Sequence, residues 1–235
     1  MKRERRILSA GEPAFASRKS VGDDVYDVLL SYLISLKIAP GARIPIDQLS
    51  RELNVSQTPI RAALIRLESE GLVVKTHLVG FSAASMPTPG RFAEIYQVRR
   101  LLEPYAASRA ALTLSKAKLS ELDALHDAMR RPGGRDARLA YGKFATTDAK
   151  FHALIAREGG GELLAGILGK LHTHMHLFRI LFHSQVTEAA IAEHGAIMAA
   201  LHAGDEAAAG RAMEQHINLS YQRVAPILEA LPDLE

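Results

Sequence analysis

Four side chains in the C-terminal two-thirds of the chain are of types that bind a divalent metal ion. Asp148 and His152 are four residues apart, so on a helix they share one face. His194 lies ten residues before Gly204 and His216 twelve after it, so two antiparallel helices joined there bring both histidines to the same height. Three imidazoles and one carboxylate suit zinc, nickel or another divalent transition metal. The spacing predicts a metal site, and separate surface or core histidines are the alternative.

A second set of polar side chains is of the type that binds an acidic small molecule. Arg99 can contact a carboxylate with two parallel hydrogen bonds, or it can pair with Glu103 four residues on. Both interpretations stay open. On one continuous helix His172 and His176 share a face and His174 does not. The predicted effector-binding residues are therefore Arg99, Glu103, His172 and His176.

Residues 54–71, NVSQTPIRAALIRLESEG, have the features of the DNA-reading helix of a helix-turn-helix. Ser56 is a good N-cap, Pro59 falls in the first turn, where a missing N–H costs little, and Gly71 ends the helix. Short polar and basic side chains at the start of a helix suit the major groove of DNA. On its own the stretch fits an ordinary amphipathic surface helix equally well. Its apolar packing stripe is Ile60, Ala63, Leu64 and Leu67.

The surrounding elements favour the DNA-reading interpretation. Three helices and a two-stranded hairpin form a winged helix-turn-helix, which we place at residues 21–84. The wing tip around His77 and Gly80 is predicted to approach the minor groove or a phosphate. The helices and strands are predicted at 23–38, 45–53 or 47–53, 54–71, 72–75 and 81–83. The predicted DNA-contacting residues are Arg51, Ser56, Gln57, Thr58, Arg61, Arg66, His77 and Gly80.

The remaining sequence predicts a flexible basic arm, a linker and a second domain. Residues 1–20 lack periodicity and form the arm, and the prolines and glycine of 85–90 form the linker. Residues 91–232 are predicted to be an all-helical domain that binds the effector and dimerises. The fold class is therefore mainly α. The helices of this domain are predicted at 92–111, 119–129, 138–158, 163–183, 187–203 and 206–231, with glycines 159–161 ending the third.

Composition limits the classes of protein that this chain can be. It has no cysteine, which excludes disulfides and thiolate metal sites and fits a reducing cytoplasm. No apolar run reaches the roughly 18 residues of a membrane span, and the basic N-terminus lacks the apolar core of a signal peptide. Residues 1–85 hold 12 Lys and Arg against 9 Asp and Glu, whereas residues 86–235 hold 17 of each. The positive excess thus accompanies the predicted DNA-binding domain.

One segment of the N-terminal domain resembles a known family. PGARIPIDQLSRELNVSQTPIRAALIRLESEGLV is similar to the DNA-binding domain of the GntR family of bacterial transcription regulators. Two positions depart from the family pattern. Gln57 stands where the family usually has an Arg that resembles a DNA contact, and Ala62 replaces a common Glu. Because Gln can still bond adenine or a phosphate, we expect a shifted operator preference and an intact fold. The matching residues are Val55, Ser56, Thr58, Pro59, Ile60, Arg61, Ala63, Leu64, Leu67, Glu70, Gly71 and Leu72.

Three segments of the second domain resemble the FCD effector domain of the FadR-like branch of that family. They are IYQVRRLLEP at 95–104, DAKFH at 148–152 and EHGAIMAALHAGDEAAAGRAMEQHI at 193–217. The resemblance implies a divalent metal beside a pocket for a small carboxylate. It departs at Gly161, where the family commonly has Asn. The metal ligands that it implies are Asp148, His152, His194 and His216.

These features predict a ligand-responsive, non-enzymatic DNA-binding regulator. Repression is the predicted mode of action. A homodimer would read a palindromic operator through two heads, because one small head makes few contacts. One alternative is a metal-dependent hydrolase or oxygenase fused to a DNA-binding head, although no general base, nucleophile motif or phosphate loop appears beside the predicted ligands. Another alternative is a metal that only stiffens the helical domain.

Overall fold

The computed structural model describes residues 20–131, 137–180 and 187–230. The predicted basic arm, apart from Ser20, lies outside the described residues, as do residues 132–136 between two predicted helices and the predicted helical residues 181–183 and 231. Within the described ranges the chain is mainly α-helical with one small sheet, so the predicted fold class is confirmed.

The N-terminal head consists of three helices and a three-stranded antiparallel sheet. The sheet has the strand order β1-β3-β2, with Ile44 opposite Phe81 and Val74 opposite Ser82. The two-residue strand β1 was not predicted, because two residues show no alternation of apolar and polar side chains. The elements of the head are α1 (Val21–Ile34), β1 (Arg43–Ile44), α2 (Ile46–Leu53), α3 (Gln57–Ser69), β2 (Val73–Thr76) and β3 (Gly80–Ala83).

Local capping sets the ends of α1. The Ser20 side chain accepts a hydrogen bond from the Asp23 backbone N–H, and the Asp23 carboxylate accepts one from the Ser20 backbone, which is a capping box. The helix therefore begins two residues before the predicted start at Asp23. It ends at Ile34, because Leu36 adopts a positive φ of 57° before the chain reaches Pro40.

The predicted stripe of α3 is the core of the head. Ile60, Ala63, Leu64 and Leu67 are all buried, and α3 packs against α1. Ser56 occupies the predicted N-cap position, although its side chain makes no capping hydrogen bond. Gly71 follows with a φ of +76°, a conformation that favours glycine and turns the chain into β2.

In the described part of the second domain there are six helices, of which α4 packs against α6 and α9, and α8 against α9. Thr88 caps α4, so this helix begins inside the predicted linker at 85–90. The antiparallel pair α8 and α9 turns at Gly204, as predicted. The helices are α4 (Pro89–Thr113), α5 (Lys116–Arg130), α6 (Ala137–Gly169), α7 (Thr173–Ile180), α8 (Thr187–Ala203) and α9 (Glu206–Ala230).

The predicted interruption at glycines 159–161 is confirmed, because the non-helical backbone of Gly161 separates two helical segments of α6. Helix α6 continues through Gly159 and Gly160, kinks at Gly161 (φ 77°) and runs on to Gly169. Gly159 serves close packing: a Cβ there would lie 1.9 Å from the backbone oxygen of Ala106 on α4. The predicted helix at 163–183 is interrupted after Gly169, and His172 has a φ of 48° immediately before α7.

This contact gives a stability prediction. Gly159→Ala should destabilise the protein by at least about 2 kcal/mol, because the added methyl group meets backbone that can move only with α4. Gly166→Ala, on the same helix with open space around the added Cβ, should be neutral or stabilising. Urea unfolding curves with equal slopes measure the difference, and equal midpoints for the two variants would contradict the prediction.

The head and the helical domain are in direct contact. Helix α1 packs against α6 and α7. Arg179 of α7 donates a 2.8 Å hydrogen bond to the backbone oxygen of Ala84, at the end of the head. The side chain of His172 fills the space next to the α-hydrogens of Gly71, which follows the DNA-reading helix.

Candidate metal centre and DNA-reading surface

Three helices bring the four predicted metal ligands together. Helix α6 contributes Asp148 and His152, α8 contributes His194, and α9 contributes His216, and all four are buried. The Nε2 atom of His194 lies 3.4 Å from His152 Nε2 and 3.3 Å from Asp148 Oδ1. The His216 ring centroid lies 4.7 Å from that of His194 and 5.1 Å from that of His152.

The donor atoms fit a divalent metal ion. Two ligands of one tetrahedral zinc ion, each at about 2.1 Å, lie about 3.4 Å apart. The separations from His194 match that value. The outer Nδ1 atoms of His152 and His216 contact carboxylates of Glu103 and Glu193 at 2.7 Å and 2.8 Å. Such outer carboxylates fix the ring orientation and leave Nε2 for the metal.

Two arginines hold these outer carboxylates. Arg99, fully buried on α4, donates from Nε to Glu103, and Arg223 donates from Nη1 and Nη2 to Glu193 at 2.6 Å and 2.8 Å. Arg99 therefore forms the ion pair with Glu103, which was one of the two roles considered for it. Its Nη1 nevertheless has no hydrogen-bond partner among the described residues. That side chain lines a small cavity together with Asp148 and His216, so carboxylate binding stays open for Arg99.

The surroundings favour the protonation states that metal binding needs. Burial lowers the pKa of His152 to about 4, although Glu103 raises it. Burial and the neighbouring His216 lower the pKa of His194 well below its ordinary value. Burial by itself would raise the pKa of Asp148. The neighbouring His174, His194 and His152 lower it by a larger amount, so the net shift of its pKa is downward. At neutral pH the structure thus presents neutral His152 and His194 imidazoles and a charged carboxylate.

His174 lies at the candidate site, although the sequence analysis placed it on a different helix face from the predicted residues His172 and His176. The Nδ1 atom of His174 lies 2.6 Å from Asp148 Oδ2, and its ring centroid lies 4.6 Å from that of His152, with the two ring planes tilted by 37°. The error came from assuming one continuous helix, whereas α7 starts only at Thr173. The apolar spacing of Leu168, Leu171 and Met175 continues at helical intervals, so Gly169, at which α6 ends, was the available signal.

The predicted effector-binding residues do not form one site. Arg99 lines the small cavity beside the metal ligands, whereas Glu103 and His172 line a larger cavity between head and helical domain. His176 lines neither, and burial lowers its pKa to about 4.

The predicted DNA-contacting residues lie mostly on one surface. Arg61 of α3 and His77 and Gly80 of the wing line a groove of about 500 Å³. Arg43 and Lys75 line it too, and sequence reasoning missed both because they lie on the short strand β1 and on β2. Three further predicted residues, Arg51, Ser56 and Thr58, are exposed.

Gln57 and Arg66 differ from the rest of this set. The Gln57 amide donates to Asp47 at 2.6 Å, and its oxygen accepts from Arg61 at 3.4 Å. Arg66 lies over the Tyr26 ring at 3.6 Å and pairs with Glu70 at 3.3 Å. Arg66 therefore packs against α1 and lines the cavity between the domains, not the groove at the wing.

Comparison with known proteins decides the family. The model described as "Bacterial regulatory proteins, gntR family" matches residues 22–82, and the FCD domain model matches residues 94–219. A helix-turn-helix transcriptional regulator in an unstable DNA locus of Streptomyces ambofaciens is 30% identical over 213 residues, which cover 90% of this chain and 88% of that protein. The chain belongs to the GntR family and carries an FCD domain.

Further relatives agree with this GntR-family assignment. The transcriptional repressor RspR of Escherichia coli K12 is 26% identical over 223 residues, 91% of this chain and 92% of its own. The crystal structure of a putative GntR regulator from Rhodococcus sp. RHA1 has the same fold, with a TM-score of 0.61 at 21% identity over 90% of this chain and 99% of that one. The GntR chain is thus a transcription regulator. In the part of it that the structure describes, no helix is both long and apolar enough to cross a bilayer.

Proposed function

We propose that this GntR-family regulator senses a small organic acid through a divalent metal ion, zinc or nickel, held by Asp148, His152, His194 and His216. The observation that carries the proposal is the position of His194 Nε2, which lies 3.4 Å from His152 Nε2 and 3.3 Å from Asp148 Oδ1. One ligand atom from each of His152, His194 and His216 also lies within 4.8 Å of the others. The outer carboxylates behind two of the rings support the proposal, because a metal-binding histidine almost always gives its other ring N–H to such a partner.

The acid would bind in the small cavity beside these ligands. The metal supplies Lewis-acid attraction for a carboxylate oxygen. The chain supplies Arg99 Nη1, buried and without a partner among the described residues, and Arg223, which also lines the cavity. The cavity has only about 10 Å³ of free space, about one water-sized sphere. An acid therefore enters only when lining side chains move, which gives it different affinities for two conformations.

On DNA, a homodimer would place two copies of α3 in successive major grooves of a palindromic operator. The groove lined by Arg61, Arg43 and Lys75 supplies positive charge for the phosphates. We propose repression as the mode of action, as the name of the relative RspR states for that protein. Binding to chromosomal DNA would take place in the cytoplasm.

We propose a sensor and not an enzyme because the acidic groups next to the predicted ligands are engaged. Glu103 is held by Arg99 and His152, and Glu193 by Arg223 and His216. Neither is free to act as a general base. Incubation of metal-loaded protein with a panel of organic acids tests this: no turnover is expected, and steady turnover would contradict the sensor proposal.

Metal removal gives the direct test. Elemental analysis of purified protein should find about one zinc or nickel per chain, and dialysis against a chelator should lower the melting temperature by about 10 °C. A ligand at a thousandfold its dissociation constant stabilises by about 4 kcal/mol, and each kcal/mol is worth roughly 2–4 °C at this size. A thermal-shift screen of small organic acids, with and without chelator, then identifies the effector class. An unchanged melting temperature and unchanged ligand shifts after chelation would remove the metal from the proposal.

A further inference from the structure

A second cavity lies where the DNA-binding head meets the helical domain, and we call it the junction cavity. Its volume is about 310 Å³, which is in the range of small-molecule sites. The head contributes walls from α1 and α3, and the helical domain contributes walls from α6 and the segment before and within α7. The residues that matter below are Tyr26, Arg66, Glu70, Lys150, Ala153 and His172.

The charges of the junction cavity are unbalanced. Its walls are mainly apolar, and its two carboxylates are engaged: Glu70 accepts from the Tyr26 hydroxyl at 2.6 Å and from Arg66, and Glu103 is held by Arg99. Lys150, by contrast, is exposed at the rim and makes no ion pair or hydrogen bond from its side chain within the described residues. The cavity thus offers a free ammonium group and an apolar interior but no free anion, which suits an anionic ligand with an apolar body.

This cavity is separate from the one beside the metal ligands. His174 is the one residue common to the described linings of the two. His152 lines the junction cavity and not the smaller one, and its Nε2 lies 3.4 Å from His194 Nε2. An occupant of the junction cavity would contact Tyr26 and Arg66 on the head and α6 on the helical domain at the same time. Such a ligand acts on the angle between the two domains, because it binds only the arrangement that keeps both walls in place.

We propose that the junction cavity is a second effector site, which binds a carboxylate with an apolar, aromatic-sized body and holds its charge against Lys150. The apolar body lies against Tyr26 and Ala153, and the carboxylate remains at the rim. This second site is additional to the metal-dependent sensing proposed above, and ligand binding in the junction cavity does not require the metal ion.

The probe is 2-naphthoate, whose fluorescence reports transfer into an apolar cavity, titrated into the full-length metal-loaded protein. Lys150→Glu should weaken binding at least tenfold, because it replaces the partner of the carboxylate by a like charge. Lys143→Glu is the matched control, with the same charge change at an exposed position of the same helix outside the cavity, and should change binding less than twofold. The neutral 2-naphthamide should bind at least tenfold more weakly than 2-naphthoate.

A second variant tests the proposal if the charge change in Lys150→Glu leaves probe binding intact. Ala153→Phe places a ring in the cavity from an exposed helix position, so the fold should survive and binding should be lost. Chelation, measured well below the melting temperature of the metal-free protein, should leave the affinity within twofold. Absence of binding to wild type, or unchanged binding in both Lys150→Glu and Ala153→Phe, overturns the proposal. Binding that chelation or Arg99→Ala abolishes while Lys150→Glu preserves also overturns it, and places the probe beside the metal, where the function proposed above stands.

Discussion

Replacement of His194 by alanine is expected to leave the purified protein without its metal ion. His194 Nε2 is the atom that lies within 3.4 Å of two other predicted ligand atoms, so its loss opens the centre of the site. We expect metal affinity to fall by at least about 100-fold, because even partners of the ligands are worth about 10–100-fold. Metal content after dialysis and metal titration of the stripped protein measure the change.

The matched control is His202→Ala on the same helix α8. His202 is half exposed and pairs with Asp123 at the surface, away from the cluster, so metal content should not change. If His194→Ala keeps a full equivalent of metal, the predicted ligand set is wrong.

The same variant separates sensing from stiffening. A sensor loses its response to organic acids when His194 is replaced, even at temperatures where the variant stays folded. A metal that only stiffens the bundle would cost stability in His194→Ala and leave the response of the folded fraction intact. Thermal-shift titration with the acid found in the screen, at equal folded fraction, distinguishes the two outcomes.

The second large effect is expected at Arg61. Arg61→Ala should weaken operator binding by at least about tenfold, because a specific contact to a base is worth about 1–3 kcal/mol and a symmetric dimer loses two. Arg61 is exposed in the groove between α3 and the wing, and within the described residues its side chain bonds only the Gln57 amide oxygen, at 3.4 Å. The melting of the helical domain should stay unchanged. Fluorescence anisotropy with labelled operator at one fixed salt concentration measures the affinity.

Arg66→Ala is the informative comparison for this experiment. Both residues are exposed arginines on α3, but Arg66 lies on Tyr26 and pairs with Glu70. We therefore expect less than a threefold loss of DNA affinity and a small loss of stability. The opposite ranking of the two variants would mean that α3 presents its other face to DNA.

Much of this fold follows from short-range pattern. The stripe of Ile60, Ala63, Leu64 and Leu67 and the breakers around it define α3, since the 3.6-residue period and the caps act within one helix. The interruption within glycines 159–161 was predicted, but the packing role of Gly159 was not, because a glycine that ends a helix and one that lets two helices touch look alike in sequence. Which role Gly159 takes depends on α4, some 50 residues earlier in the chain.

The candidate site likewise has features that the sequence predicted and features that it did not. Helix geometry places Asp148 and His152 on one face of α6, and the turn at Gly204 brings His194 and His216 to one height. The spacing left the meeting of these two pairs open, and the family resemblance implied it.

The contact between His174 and Asp148 depends on where α7 restarts, and His172, the residue before that start, contacts Gly71 of the head. Arg99 and His172 line different cavities because of the way in which whole helices pack. The apolar periodicity of the sequence carries no information on that packing.

The contact between Gln57 and Asp47 bears on how operator preference changes in evolution or by engineering. The 2.6 Å hydrogen bond ties the first residue of α3 to the preceding helix, and Arg61 leans on the same amide. An arginine at this position, as in the family pattern that this stretch resembles, would place a guanidinium beside the Asp47 carboxylate, where the two would bind each other in competition with DNA. Transfer of a relative's specificity to this chain is therefore a two-residue exchange, in which position 47 changes together with position 57.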